Sequence, residues 1–299
     1  MRLLRLEKDG GFSLAEYVGK SIPPYAILSH TWGLDHEEFT FKDLTAGIPL
    51  DKSKAGYRKL TFCGMQAAKD NLEWFWIDTC CIDKSSSAEL SEAINSMFSW
   101  YSKSAKCYVY LSDVSITGFT NNDQSFESSR WFTRGWTLQE LLAPTSTQFF
   151  SMEGDFLGDK GSLMQAITNI TGVPVEALQG SPLTQFNVEE RMSWARNRET
   201  KREEDMAYSL LGIFDIHMPL IYGEGQPKAF RRLEKEIEES LTDQSRKKLK
   251  PSSNVPFKRD RDFVDRPSIM AWIKEMCEVR SNRAALVGLG GVGWVDCCS

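Results

Sequence analysis

Short apolar runs alternate with segments of helical periodicity over the first half of the chain. Four runs are rich in aromatic and β-branched residues and predict buried strands at 25–30, 73–79, 106–111 and 148–151. Apolar residues recur every three or four positions at 57–68 and 90–101, and 131–142 is also compatible with a helix. Strands and helices in alternation imply right-handed crossovers. The pattern therefore predicts an α/β fold with a parallel sheet flanked by helices.

The second half of the chain shows helical periodicity only. The predicted helices are 162–170, 188–196, 203–214 and 226–240. Together they predict an α-helical C-terminal extension packed on the sheet. The most apolar long window carries Asp215 and His217 just before Pro219, which indicates a buried helix rather than a membrane span.

Changes of composition divide the chain into five segments. Residues 245–261 are basic and contain several Pro and Ser residues, which is typical of a linker. The predicted segments are an N-terminal segment at 1–24, an α/β core at 25–160, a helical part at 161–242, a basic linker at 243–265 and a final segment at 266–299.

The overall composition excludes several classes of protein. Of 299 residues, 41% are hydrophobic and 11% aromatic, too much apolar surface for a disordered chain. The formal net charge of −5 argues against nucleic acid as a partner, because no global positive field exists to hold it. Early charges exclude a signal peptide, and seven irregularly spaced cysteines indicate reduced thiols in a cytoplasmic protein. No cysteine or histidine spacing indicates a metal site.

A glycine loop near the end of the chain resembles a phosphate-binding loop. Gly288 and Gly293 occupy the glycine positions of G-x-x-x-x-G-K-[ST], whose backbone amides cradle phosphates. Trp294 and Val295 stand where the motif needs Lys and Ser or Thr. We therefore expect this loop to be degenerate and not to bind nucleotide.

Polar residues follow the first two predicted strands. Ser29, His30 and Trp32 stand at the end of the first strand, and Asp78 and Asp83 at the end of the second. In open α/β sheets, ligands bind outside the carboxyl ends of the strands, so these residues predict a substrate-binding crevice. The alternatives are a His30 side chain satisfied by backbone groups and two aspartates that cap the following helix.

The segment 131–142 contains an aromatic residue and a carboxylate four positions apart, which is one helical turn. If this segment is helical, Trp136 and Glu140 lie on the same side. An aromatic face beside a carboxylate suits a glycosidic bond, because the ring stacks a sugar or base while the carboxylate stabilises an oxocarbenium-like centre. The alternative is an ion pair of Glu140 with Arg130 or Arg134.

Four sequence blocks together resemble the fungal heterokaryon incompatibility (HET) domain. They are YAILSHTWG at 25–33, the WIDTCCIDK block at 76–114, SRWFTRGWTLQELLAP at 129–144 and the RMSWARNRE block at 191–237. The resemblance implies a cytoplasmic module of fungal self/non-self recognition that triggers growth arrest or cell death. It also implies other incompatibility proteins as partners and a homo-oligomer on activation. The tail from Pro256 resembles the start of a P-loop NTPase domain of the NACHT or NB-ARC type.

The HET family is in turn similar to the Toll/interleukin-1 receptor (TIR) domain, a flavodoxin-like α/β fold with members that cleave NAD. In SRWFTRGWTLQEL, Trp136 and Glu140 fall on the Trp and Glu positions of the TIR pattern, with Thr137 in place of a Cys. The resemblance implies a catalytic carboxylate at Glu140, NAD as substrate and no cofactor. Two hypotheses follow: an effector that hydrolyses NAD, and a non-catalytic signalling or assembly module of an NLR-like receptor. A nucleotide-sized pocket beside Glu140 would favour the first.

Overall fold

A computed structural model of the protein describes residues 1–46, 50–121 and 123–248, together with 267, 268 and 271. The chain divides into two compact units, Met1–Ile237 and Glu238–Ser299. The described strands all belong to the first unit. They are β1 (Arg2–Leu6), β2 (Phe12–Glu16), β3 (Tyr25–His30), β4 (Trp74–Trp76), β5 (Lys106–Tyr110), β6 (Thr147–Phe150) and β7 (Phe156–Asp159).

These strands form one mixed sheet in the order β2-β1-β4-β3-β5-β6-β7. The four central strands are parallel, whereas β1, β2 and β7 are antiparallel to their neighbours. The fold is therefore α/β with a mostly parallel sheet, as the pattern predicts. The three antiparallel strands were not predicted. The second predicted strand, 73–79, corresponds to β4, which ends at Trp76 because Asp78 begins a helix.

Helices cover both faces of this sheet. The helices of the α/β part are α1 (Phe41–Thr45), α2 (Ala55–Lys69), α3 (Asp78–Cys81), α4 (Ser87–Lys103), α5 (Ile116–Thr120) and α6 (Thr137–Leu142). The connection from β3 to β4 contains α2 and runs toward one edge of the sheet. The connection from β4 to β5 contains α4 and runs in the opposite direction, past β3. Right-handed crossovers therefore place α2 and α4 on opposite faces.

The two crossover helices form where the apolar period predicts them. In α2 the buried positions include Leu60, Cys63 and Ala67, one helical face. In α4 the Ser86 hydroxyl accepts a hydrogen bond from the Glu89 backbone N–H, a typical N-cap. The buried face of α4 runs along Ala93, Ile94, Met97 and Tyr101.

The C-terminal extension is helical, with helices shorter than predicted except for the last one. They are α7 (Met164–Thr171), α8 (Val175–Leu178), α9 (Val188–Ser193), α10 (Asp205–Tyr208), α11 (Leu211–Phe214) and α12 (Gln226–Lys248). Left-handed residues end α7 at Gly172 and α11 at Asp215. The last helix continues beyond 240 into the predicted linker. Within the part of the chain that the structure describes, no helix is long and apolar enough to cross a membrane.

Some of the predicted segments lie outside the described residues. These are the linker beyond 248, the NTPase-like tail with its loop at Gly288 and Gly293, and three of the seven cysteines. The four described cysteines are buried and free, as predicted for thiols: Cys63, Cys80, Cys81 and Cys107.

Gly212 allows α11 to approach α4 closely. A Cβ atom built on Gly212 would lie 2.1 Å from the Cβ and 2.5 Å from the Cγ of Phe98 in α4. The Phe98 Cβ is fixed to the backbone and cannot rotate away. We expect Gly212→Ala to lower the free energy of unfolding by about 3 kcal/mol, measured by urea denaturation. Gly161→Ala is the matched control, because its Cβ would be 3.2 Å from the Asp159 carboxylate, and a change within about 0.5 kcal/mol is expected. Equal losses in both variants would contradict the close packing.

Candidate functional site

The carboxyl group of Glu140 lies against the carboxyl end of β3. The Ser29 hydroxyl donates a hydrogen bond to Glu140 Oε2, and the Trp131 indole N–H donates to Ser29 Oγ at 2.8 Å. Trp131 lies in a 3₁₀ turn, Arg130–Thr133, whose N-cap is Ser129. The Ser29 hydroxyl thus joins this turn, β3 and α6 in one buried contact.

Burial sets the protonation state of Glu140. The residue is only 9% exposed, and loss of hydration is the largest cause that raises the pKa of its carboxyl. The negative charge of Asp78 raises the pKa further, whereas hydrogen bonds with Ser29 and Tyr101 and the charge of Arg198 lower it. The balance raises the pKa of Glu140 to about 8. At neutral pH the carboxyl is therefore mostly protonated in this structure.

Arg198 brings a buried positive charge from the extension to α6. Its Nη1 donates to the Arg134 carbonyl at 2.8 Å and to Thr137 Oγ1 at 2.9 Å. The side chain is 4% exposed, and Nη2 has no hydrogen-bond partner among the described residues. Burial lowers the pKa of Arg198 to about 10, against the attraction of Glu140. Arg198 therefore stays charged at neutral pH.

A backbone ladder holds this part of the extension in place. The Gly135 N–H donates to the Glu199 carbonyl at 2.9 Å, and the Glu199 N–H donates to the Thr133 carbonyl at 2.6 Å. These bonds form an isolated parallel bridge between Arg134 and Glu199. The extension is therefore tied directly to the turn that precedes α6.

A second group of side chains gathers around Asp78 at the start of α3. His30 Nε2 lies 3.1 Å from Asp78 Oδ1, and the Trp32 indole N–H donates to Asp78 Oδ2 at 2.9 Å. The Lys84 ammonium lies 3.6 Å from the same oxygen and 3.6 Å from the centroid of the Trp32 ring. Burial opposes ionisation of Asp78, but Lys84, His30 and Trp32 outweigh it and hold the pKa of Asp78 well below its usual value. Asp78 is therefore a carboxylate.

A buried ion pair shapes the loop that follows β3. Lys59 of α2 binds the Glu38 carboxylate and donates to the Thr31 carbonyl at 2.9 Å. The Gly33 N–H also donates to Glu38, at 2.7 Å. The charges of His30 and Lys59 and these hydrogen bonds overcome the burial of Glu38 and lower its pKa. This network fixes the loop on which Trp32 stands.

The structure brings the predicted site residues together in two adjoining groups rather than one crevice. Successive residues of a strand point to opposite faces, so Ser29 joins Glu140 on one face while His30 joins Asp78 on the other. The two groups are close because Ser29 and His30 are consecutive residues of β3, and the charge of Asp78 contributes to the raised pKa of Glu140. Surface cavities of about 510, 430 and 740 Å³ occur in the described part of the chain, and Glu140 lines none of these three.

Asp83 and Trp136 have other partners. The Asp83 side chain accepts hydrogen bonds from Ser85, as in a turn, and the residue lines the cavity of about 430 Å³ beside Trp32. The Trp136 indole N–H donates to Asp205 of the extension at 3.3 Å. Because α6 begins only at Thr137, the segment 131–142 is not one helix.

The contacts of Glu140 and His30 also decide between the alternative interpretations of these two residues. No ion pair joins Glu140 to Arg130 or Arg134 within the described chain. His30 contacts Asp78 and not a backbone group, and its Nδ1 has no partner among the described residues. Within the same residues, no group of three or more His, Cys, Asp or Glu side chains is arranged to hold a metal ion.

Three residues of the two groups were not predicted from the sequence: Trp131, Lys84 and Arg198. Trp131 and Lys84 each lie close to a predicted residue, but a single indole or ammonium group carries no spacing signal. Arg198 lies 61 residues beyond Thr137, and its contact with α6 depends on tertiary pairing. Arg198 is distinguished by the burial of its charged side chain, and only the structure shows that burial.

Comparison with known proteins shows a similarity to one family. Residues 25–128 match the family described as Heterokaryon incompatibility protein (HET). The Vegetative incompatibility protein HET-E-1 of Podospora anserina is 56% identical over 243 residues, which cover 79% of this chain and 18% of that protein. The chain therefore spans less than a fifth of the length of this relative. No solved structure matches. The strand end that carries Ser29 and His30 lies within the matched segment, and residues 25–128 are therefore similar to the heterokaryon incompatibility (HET) family.

Proposed function

We propose that the chain acts in heterokaryon incompatibility, as an effector that arrests or kills the cell after fusion of unlike fungal cells. The HET match and the identity of 56% to a vegetative incompatibility protein support this role. The partners that we propose are other incompatibility proteins and, on activation, further copies of this chain. The cytoplasm is the compartment in which such a module would act.

The chemistry that we propose is hydrolysis of NAD at Glu140. The observation that carries it is the placement of the Glu140 carboxyl against Ser29, at the carboxyl end of a central parallel strand. The parallel strands run β4-β3-β5-β6, and numbered from β3 this is the order 2-1-3-4 of a flavodoxin-like sheet. In such sheets the ligand binds where the strand order reverses, here between β3 and β5. The order also supports the similarity to TIR domains.

The reaction breaks the bond between C1′ of the ribose and N1 of nicotinamide. The bonding electron pair stays on N1, so the cationic ring leaves as neutral nicotinamide. A water oxygen bonds to C1′ and releases a proton to solvent, and the second product is ADP-ribose. In its ionised form, Glu140 would stabilise the positive charge that develops at C1′. With a pKa of about 8, most Glu140 carboxyls lack that charge at neutral pH.

A second function, signalling by assembly without catalysis, is favoured by one observation. Glu140 is buried and lines none of the three cavities, so none of them gives access to its carboxyl. In this alternative the chain is the signalling module of an NLR-like receptor, in line with the resemblance of its tail to a NACHT or NB-ARC domain.

Release of nicotinamide separates the two functions. The purified full chain is incubated with NAD at pH 7 and pH 8.5, and nicotinamide and ADP-ribose are measured by chromatography. We expect equimolar products, formed faster at pH 8.5 because more Glu140 is ionised. A chain that kills cells on expression but forms no nicotinamide at either pH would leave assembly as the mechanism.

A further inference from the structure

A cavity beside Trp32 has no role in the function proposed so far. We call it the Trp32 cavity; its volume is about 430 Å³, within the range of small-molecule sites. It lies between the loop after β3, α1 and the turn before α4. Its walls are Trp32, Asp35, Glu38, Thr40, Phe41, Lys42, Thr45, Thr79, Ile82, Asp83, Lys84 and Ser85.

We propose that the Trp32 cavity binds the adenosine half of NAD, an inference that rests on the proposed hydrolysis. The half that reacts must reach Glu140, and Glu140 does not line this cavity. Asp78 links the two places, because it accepts from the Trp32 indole and lies 3.1 Å from His30 Nε2, and His30 follows Ser29, which binds Glu140. In this proposal one dinucleotide crosses the carboxyl end of β3, with its unreactive end in the Trp32 cavity.

Trp32 is prepared as a stacking surface for a neutral aromatic ring. The residue is 40% exposed, although a large apolar side chain in solvent is usually unfavourable. Asp78 fixes its indole N–H and Lys84 lies over its ring, so the ring is ordered before a ligand binds. The ammonium of Lys84 opposes a second cation at this ring. The ring position therefore favours neutral adenine over the positively charged nicotinamide ring.

The polar groups of the cavity suit a nucleoside. Lys201 binds Asp35 and Lys59 binds Glu38, whereas Asp83 accepts hydrogen bonds from Ser85. A carboxylate offers several acceptor positions, so Asp83 has acceptors left for ribose hydroxyls or for the amino group of adenine. The hydroxyls of Thr45 and Thr79 add donors and acceptors. Adenosine is therefore the simplest probe of this cavity.

Binding of adenosine to the full chain tests the inference without turnover. Saturation-transfer NMR and calorimetry are run with adenosine, AMP and nicotinamide riboside on wild type, Trp32→Ala, Trp32→Phe and Met65→Ala. Met65 is an exposed apolar residue of the 510 Å³ cavity and serves as the control. We expect Trp32→Ala to weaken adenosine binding about tenfold or more, since base stacking on an aromatic ring has that magnitude. Trp32→Phe keeps a ring and should remain within a few-fold of wild type, as should Met65→Ala.

Distinct results overturn the inference and the proposed hydrolysis. The inference is wrong if adenosine does not bind at millimolar concentration, if Trp32→Ala with an unchanged melting temperature binds as wild type does, or if nicotinamide riboside competes fully for the cavity. If Trp32→Ala lowers the melting temperature, the affinity of Trp32→Phe for adenosine relative to wild type decides. Stacking is contradicted if Trp32→Phe loses as much affinity as Trp32→Ala. Adenosine binding that depends on Trp32 in a chain that forms no nicotinamide removes the hydrolysis alone.

Discussion

Replacing Glu140 with Gln is expected to lower nicotinamide release by about 10²-fold or more and to abolish cell killing in a yeast expression assay. Gln keeps the shape of the side chain and can still accept the Ser29 hydrogen bond, but it has no negative charge to offer at C1′. Loss of one preorganised stabilising group typically costs a rate factor of this size. Nicotinamide formation by purified protein and survival of expressing cells are the two measurements.

Asp205→Asn is the matched control for this variant. Asp205 is also a carboxyl whose pKa is raised, chiefly by burial, but it lies in the extension, where it binds Tyr222 and accepts from the Trp136 indole. We expect nicotinamide release within a few-fold of wild type. Toxicity that Glu140→Gln leaves unchanged at equal expression would exclude the catalytic role. An equal loss of activity in both variants would attribute the effect to the fold.

The same substitution is expected to flatten the dependence of stability on pH. The ordinary pKa of a glutamic acid in the unfolded chain is 4.5, and the fold raises the pKa of Glu140 to about 8. Between these pH values the folded protein holds the proton that the unfolded chain has lost. The contribution of Glu140 to stability is therefore present below pH 4.5 and is lost as the pH rises to about 8.

The amide in Glu140→Gln has no such proton to lose. We therefore expect the stability of Glu140→Gln relative to wild type to increase with pH by up to about 1.4 kcal/mol per pH unit in this window. Urea denaturation at pH 5, 6, 7 and 8 gives the difference, and groups common to both proteins, such as Asp78 and Glu38, cancel in it. A difference that stays constant from pH 5 to pH 8 would show that Glu140 ionises normally in the folded protein.

The sequence predicts the central strands well because they are buried on both faces. The run Tyr25–His30 is buried at all six positions and reads as a continuous apolar segment. Next to the edge strand β2, β1 is only partly buried and carries Arg2 and Arg5 among its leucines, so its pattern resembles a polar segment. β7 is four residues long and contains Gly158, which leaves too few positions to show an alternation.

The candidate site was predictable only as far as strand ends determine it. Ser29, Asp78 and Glu140 do gather at the carboxyl ends of the parallel strands. The partner of Trp136 could not be read from helical spacing, because its indole N–H donates to Asp205, 69 residues further along the chain. The division of Ser29 and His30 between two faces follows from strand alternation, but it needs the exact end of β3.

The ladder between Glu199 and the turn before α6 constrains how this chain can diverge. Arg198 depends on Thr137 for one of its acceptors, so a lineage that loses the threonine hydroxyl leaves a buried guanidinium with one fewer partner. A second substitution, of Arg198 itself, would then remove the buried guanidinium. We therefore expect positions 137 and 198 to coevolve, so that the extension diverges in step with the residues around Glu140 and not with the solvent-exposed helices beside it.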